Sequence, residues 1–397
     1  MIRHRLSPVL FAPALLMPLL LGFTSRAQDA APPRVIDLTA RDGTSLKGTY
    51  FAAGKPGPGV LLLHQCNRQR KVWDDLAARL AAAGFHVMTV DLRGYGDSSG
   101  TPVDKLSPEE LRVVFGEKFP TDVETAYQYL VSQPAVSRDT IAVGGASCGV
   151  NQSVHVAANH PDVRALVLLS EGTDAGGRQF LRTSAKMPLF MAVADDDPDL
   201  GVTEIMRWLF TLSSNPVNKF VHYSTGGHGV EMFDAHKELP GMIVAWVATT
   251  LKKRPPIVAK ASAPVSAEPN FFELIDHPGG VEKAAQKFAQ ARKRDPKALL
   301  FSEAVMNRLG YEHLQAGDNK SAVELMKLNA SAYPHSPNVY DSLSDAYLAD
   351  GQKDLARQNA KKALELLPSD TTDPEDRRKA IKESAEQKLK QLGDTPR

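Results

Sequence analysis

The stretch Thr140-Ile141-Ala142-Val143-Gly144-Gly145-Ala146-Ser147-Cys148-Gly149-Val150-Asn151 decides the fold. Thr140–Val143 is a short apolar, β-branched run with the character of a buried strand, and Val150–Asn159 has the period of a helix. Between them lies Gly-x-Ser-x-Gly, centred on Ser147. In that context the motif is a strained strand-to-helix turn that lifts a serine hydroxyl above the C-terminal edge of a sheet. The residues on either side must be small, because the turn brings the helix start close to the strand. Without its flanks the pentapeptide would mean little, since glycine and serine are common.

Working outward, apolar runs alternate with amphipathic stretches from about Val35 to Leu251. Gly59–Leu63, His86–Val90, Ala165–Leu169, Pro188–Ala194 and Lys219–Tyr223 read as further strands. Helical periods fall at Trp73–Ala83, Asp122–Ser132 and Glu204–Leu212. Continuous apolar strands separated by helices indicate a parallel sheet covered on both faces. A leading hairpin around Asp42-Gly43 would add antiparallel edge strands. The expected class is α/β: a doubly wound, mostly parallel sheet over residues 34–252, followed by an all-α domain.

Residues 253–270 lack periodicity and are rich in Pro, Ala and Ser, as a linker is. Residues 271–392 then repeat. Leu309, Gly317, Ala322 and Pro334 recur 34 positions later as Leu343, Gly351, Ala356 and Pro368, the period of tetratricopeptide helix pairs. Gly280–Lys293 carries a degenerate further copy, and Asp373–Leu392 reads as a polar capping helix. Such an array is expected to bind a peptide or protein, to shield the active-site mouth, or simply to pack on the first domain.

At the N-terminus, Arg3-His4-Arg5 precedes an uncharged Leu/Ala/Pro run to Phe23, then Ser25-Arg26-Ala27. Residues 1–27 thus have the layout of a secretory signal peptide. Pro8, Pro13 and Pro18 interrupt the roughly 20 apolar residues that a membrane anchor needs. The expected location is periplasmic or secreted, without a membrane anchor after cleavage. The 397 residues are 43% hydrophobic and carry a formal net charge of +1, which gives no basis for a nucleic-acid partner. Scattered histidines show no ligand spacing, so neither a metal nor an organic cofactor is expected.

A serine nucleophile needs a base and an orienting acid, which in this topology follow in the order Ser, acid, His. His228, flanked by Gly227 and Gly229 after the last strand, is the expected base. His155, His160, His222 and His236 sit on helices or strands and read as structural. For the acid, Asp197 fits best, three positions after Ala194 closes its strand; Asp196 and Glu171 are the alternatives. The oxyanion donors are expected to be the backbone N–H groups of Cys148 and of Gln65 or Cys66, in the loop His64-Gln65-Cys66-Asn67. His64 reads as structural.

With these residues in place, residues 34–252 resemble the α/β-hydrolase superfamily, most closely its dienelactone-hydrolase and prolyl-oligopeptidase-type branches. Four features in order carry the resemblance: the His64 loop, Asp91-Leu92-Arg93-Gly94-Tyr95-Gly96-Asp97-Ser98, the Ser147 elbow, and Gly227-His228-Gly229. Asp91 and Arg93 read as structural. The resemblance implies an acyl-bond hydrolase acting on a small-molecule ester. Dienelactone hydrolases proper use a cysteine nucleophile, whereas this elbow centres on serine, and Gln65 stands where the oxyanion loop usually has glycine. A peptidase or amidase on the same triad, and a repeat-mediated binding protein with a vestigial hydrolase domain, are the competing readings. The chain's two cysteines, Cys66 and Cys148, both fall at the expected oxyanion hole. Two N–H groups aimed at one oxygen bring their Cα atoms near the disulfide range, and export would favour oxidation. The sequence leaves open a disulfide and two packed thiols.

Overall fold

A computed structural model describes residues 32–252 and 270–394. The expected signal segment and nearly all of the expected linker lie outside them. Eight strands form one sheet: β1 (Arg34–Thr39), β2 (Ser45–Phe51), β3 (Gly57–Leu63), β4 (His86–Val90), β5 (Val136–Ala146), β6 (Val163–Leu169), β7 (Leu189–Ala194) and β8 (Lys219–Tyr223). Their spatial order is β1-β2-β4-β3-β5-β6-β7-β8. The β1–β2 and β2–β4 pairs are antiparallel and every other pair is parallel. The hairpin therefore sits at one edge, as its Asp-Gly turn implies. The order folds back between β3 and β4, so β3 and β5 lie side by side with Leu63 opposite Gly145. That register brings the loop after β3 to the elbow after β5, at the carboxyl ends where open α/β sheets place their sites.

The helices interleaved with the strands are α1 (Asp74–Ala82), α2 (Pro108–Val113), α3 (Phe119–Ser132), α4 (Cys148–Asn159), α5 (Ala175–Thr183), α6 (Val202–Thr211), α7 (Met232–Ala235) and α8 (Leu239–Lys252). A π-helical turn, Val114–Lys118, joins α2 to α3. Each face of the sheet buries its own apolar cluster. On one face Trp73, Leu76 and Leu80 meet Ile243 and Val247 of α8. On the other, Phe119, Val123 and Leu130 of α3 pack with Val150 and Val154 of α4. A fully buried side chain of this size contributes roughly 1.5–3 kcal/mol.

Seven helices follow: α9 (Phe271–Ile275), α10 (Gly280–Arg294), α11 (Glu303–Gln315), α12 (Asn319–Ala332), α13 (Pro337–Ala349), α14 (Lys353–Leu366) and α15 (Glu375–Gln391). The starts of α11 and α13 differ by 337 − 303 = 34 residues, and those of α12 and α14 by 353 − 319 = 34. The helical part shares a core with the sheet layer. Phe271, Phe272, Ile275, Val305 and Leu309 belong to the same apolar cluster as Ile205, Met206 and Trp208 of α6. The Trp208 and Phe272 rings lie 5.8 Å apart.

A chain of ion pairs reinforces this junction. Arg178 of α5 is buried and contacts Asp276 at 2.7 Å and Glu312 of α11 at 2.6 Å. Arg182 contacts Glu273 at 2.6 Å, and the Trp208 indole N–H donates to Glu273 at 2.9 Å.

Candidate active site

Ser147 stands between β5 and α4 with φ 51° and ψ −129°, a backbone that L residues adopt at a cost of order 1–3 kcal/mol. Its N–H donates to Leu169 O at 2.9 Å, anchoring the turn to β6. The two glycines are dictated by close approach. A Cβ on Gly145 would lie 2.1 Å from Gly149 O, and one on Gly149 would lie 2.5 Å from Leu63 O. The helix start thus presses on the backbone of the loop after β3, which a side chain would force away. Cys148 is the first residue of α4, so its N–H is one of those that a helix leaves without an intrahelical acceptor.

Cys66 and Cys148 form a disulfide, their Cα atoms 5.8 Å apart. The thiol alternative is thereby excluded in this structure. The bond ties the backbone of the loop after β3 directly to the residue following Ser147. His64 is fully buried: its Nδ1 lies 2.8 Å from Gln65 O, and its Nε2 accepts from Leu92 N–H at 3.1 Å. Burial lowers its pKa and keeps it neutral, so it braces the loop, as the sequence suggests. Asp91 and Arg93 are likewise structural. Asp91 pairs with buried Arg70, and Arg93 Nε donates to Asp122 at 2.9 Å.

The three aspartates after β7 separate by partner. Asp195 pairs with His222 at 2.7 Å. Asp196 accepts from the N–H groups of Gly226 and Gly227 at 2.8 and 2.9 Å, fixing the loop that precedes His228. Asp197, buried, meets His228 Nδ1 with both carboxylate oxygens, at 2.8 and 3.0 Å. This bond holds the proton on Nδ1 and leaves Nε2 as the acceptor. Glu171, the other alternative, forms an ion pair with Arg308 of α11 and makes no hydrogen bond to His228. It follows Ser170, a buried residue at φ 50°.

Burial pushes the His228 pKa down. The hydrogen bond and charge of Asp197, then the charges of Asp199 and Glu171, outweigh it, so the imidazole titrates above its ordinary value. No hydrogen bond joins Ser147 Oγ to His228; Nε2 lies 3.9 Å from Asp199 Oδ2. In unliganded sites such bonds are commonly long and tighten on substrate. The two loops nonetheless touch, since a Cβ on Gly229 would sit 3.3 Å from the Ala146 side chain.

Gln65 is the residue whose role the sequence did not disclose. Its side-chain amide donates to Asn67 Oδ1 at 2.8 Å, while its carbonyl accepts from Val230 N–H at 2.9 Å. It thereby links the loop of the expected oxyanion donors to the loop of the expected base. The absence of glycine at this position was the available signal, and the space that Gly229 leaves open was the other half of it.

Among the described residues, Asp197, Asp199 and His228 each offer a ligand atom within 4.8 Å of the others, a grouping a cation would fit. Linear spacing does not reveal it. The same contacts serve to orient an imidazole.

Residues 58–216 match a family model described as alpha/beta hydrolase fold. The sheet and its flanking helices have the α/β-hydrolase fold. An uncharacterized protein of Mycobacterium tuberculosis is 31% identical over 142 residues, 35% of this chain and 46% of that protein. A thiohydrolase of Aspergillus aculeatus is 25% identical over 133 residues, 33% of this chain and 39% of its own length. The chain therefore spans less than half of either relative. An esterase of Pyrococcus furiosus superposes with a TM-score of 0.44 at 17% identity, covering 55% of this chain and 93% of that one. A dienelactone hydrolase of Anabaena variabilis gives 0.42 at 17% identity, covering 57% and 98%.

Two cavities flank the disulfide. One, of about 1060 Å³, reaches Cys66 and is walled by Tyr95 and Val103. The other, of about 550 Å³, reaches Cys148, Glu171 and Asp199 and is roofed by Asn307, Arg308 and Tyr311 of α11. Phe115, on the π-helical turn, lines both. The helical part forms one wall of this second cavity, its core being continuous with α6.

Proposed function

We propose that this α/β-hydrolase is an exported serine hydrolase that cleaves a carboxylic ester or thioester through an acyl-enzyme. The observation that carries this reading is the Asp197–His228 pair, buried and two-pronged, in a loop that abuts the strained elbow of Ser147. Ser147 Oγ attacks the carbonyl carbon as its proton passes to His228 Nε2. The carbonyl electrons move onto oxygen, to which the N–H groups of Cys148 and of Gln65 or Cys66 donate hydrogen bonds; one such donor is worth roughly 3 kcal/mol in the transition state. When the bond to the leaving oxygen or sulfur breaks, the proton on Nε2 leaves with the alcohol or thiol. Water, deprotonated by the same nitrogen, then releases the acid and restores Ser147. Asp197 holds the ring throughout and steadies the imidazolium.

Export is part of the same proposal. The N-terminal sequence pattern supports it, and so does the disulfide, since such bonds persist in oxidising compartments. Labelling by a fluorophosphonate probe, compared between the wild type and Ser147→Ala, tests the central claim. The wild type is expected to label and the variant not to. Equal labelling of both would refute it. Turnover of nitrophenyl esters without turnover of aminoacyl nitroanilides separates esterase from amidase.

A further inference from the structure

The segment that follows β6 is gripped from two sides. On one side is the turn and helix that present Ser147. Leu169 O, the last carbonyl of β6, accepts from Ser147 N–H at 2.9 Å. Asn151 Oδ1, on the first turn of α4, accepts from the Thr173 hydroxyl at 2.7 Å and from Asp174 N–H at 3.1 Å. His155, one turn further along α4, meets Asp174 at 2.8 Å. Residues 169–174 therefore run beside the nucleophile's turn and are bonded to it.

Within this segment Ser170 is buried at φ 50°. Its own side chain does not hold it there, since Ser170 Oγ has no hydrogen-bond partner among the described residues. A non-glycine residue persists in that conformation only where its surroundings fix it. One support is β7, whose Ala192 O accepts from Ser170 N–H at 3.1 Å. The other is the helical part. Glu171, the next residue, is held by the Arg308 guanidinium of α11. Thr173 O accepts from Arg178 at 2.7 Å, and that guanidinium is fixed in turn by Asp276 and Glu312. Arg182 supplies the contrast. It belongs to the same junction, but its side-chain hydrogen bonds go to Glu273 and Asp276, not to residues 169–174.

Without Arg308 the Glu171 carboxylate would be left half-buried and unpaired, and turning it toward water would pull on Ser170. The strained backbone would relax, and Leu169 O would move from the turn it anchors. From this geometry, and resting on the serine-hydrolase reading above, we infer that Arg308 is a positioning residue: by holding Glu171 it fixes Ser170 and keeps Leu169 O against the turn of Ser147. The helical part then acts on the nucleophile through the segment after β6, without touching the reacting atoms.

The test follows acylation of the full chain by nitrophenyl acetate, as the burst of nitrophenol. It is read on the alkaline plateau of the pH profile, where His228 is neutral in every variant. Arg308→Met is expected to slow acylation about ten- to hundredfold with KM changed less than about twofold, as a displaced reacting group does. Arg308→Lys, which keeps the charge, is expected to acylate faster than the methionine variant. Glu171→Ala is expected to be slowed as much as Arg308→Met, and the double variant no further, because the two residues act as a unit. Arg182→Met, which weakens the junction without touching the segment, is expected to acylate at the wild-type rate. Near-ultraviolet circular dichroism confirms that each variant is folded. A folded Arg308→Met that acylates at the wild-type rate overturns the inference. So does equal slowing in Arg182→Met, which would mean that loosening the junction is enough. Where Arg308→Met does not fold, Glu171→Ala takes its place and the same two results decide. Either result, in a wild type that labels with the fluorophosphonate, leaves the serine-hydrolase reading intact. Failure of the wild type to label removes that reading, and this one with it.

Discussion

Removing the Cys66–Cys148 bond, by the double replacement Cys66→Ala/Cys148→Ala, should act on stability and on turnover through different physics. The two residues are 82 positions apart. Cross-linking a loop of that length withdraws chain entropy from the unfolded state worth about 4.5 kcal/mol at 25 °C, and measured effects usually come to about 2–4. Urea unfolding of the variant against the oxidised wild type, both as full chains, should show a loss in that range. The bond also ties the loop that would supply one oxyanion donor to the residue that would supply the other. Complete loss of one donor costs about 10²–10³ in kcat. A donor that is loosened instead of deleted should cost about tenfold, with KM nearly unchanged because the ground-state carbonyl makes little use of it. Dithiothreitol applied to the wild type should reproduce both effects. If the variant unfolds within about 0.5 kcal/mol of the wild type, the entropic part of the reasoning is wrong. If kcat is also unchanged, the bond has no part in placing the donors.

Asp197→Asn should leave the fold intact and lower kcat by about 10³–10⁴, since the imidazole would then rest in the wrong tautomer; Asp196→Asn should cost far less, because it holds only backbone. As the base must be neutral and His228 titrates above its ordinary value, kcat/KM should fall as the pH drops through a value above about 6.5. Asp199→Asn should shift that limb to lower pH by removing a negative charge that favours the imidazolium, and a pH–rate profile that does not move would count against the assignment of His228. Arg178→Met should cost about 3–5 kcal/mol in urea unfolding, because it strands the carboxylates of Asp276 and Glu312 at the junction. Gly149→Ala should reduce kcat with a modest loss of stability, since its methyl group would push on Leu63 O and displace the oxyanion loop; single-turnover kinetics would show the loss in acylation.

Much of this molecule is legible in the chain because its signals are local. The buried run of β4 and the alternating apolar strands predict the sheet, and the strand–Gly-x-Ser-x-Gly–helix context predicts the elbow. The 34-residue recurrence predicts helices that begin in register. The choice among Asp195, Asp196 and Asp197 was only half legible. Spacing favours Asp197, but what separates the three is the partner each meets across the β7 and β8 loops. The junction between the two parts was not legible at all. Ile205, Met206 and Trp208 look like the inner stripe of an ordinary surface helix, and nothing in their spacing says that Phe272 and Leu309 complete their burial. For the same reason Glu171 reads as a free carboxylate until Arg308 is brought to it from 137 positions away.

The bridging amide of Gln65 has a consequence for how such sequences diversify. Its carbonyl occupies the space where a Cβ on Gly229 would fall, 2.4 Å away, so the two positions are steric counterparts although they lie in different loops. A smaller residue at 65 would lose the strut between the loops, yet position 229 would still favour glycine, because its φ is 60°. Glycine is thus required there twice over, by the backbone it adopts and by the amide it admits, as a tenon is cut to its mortise.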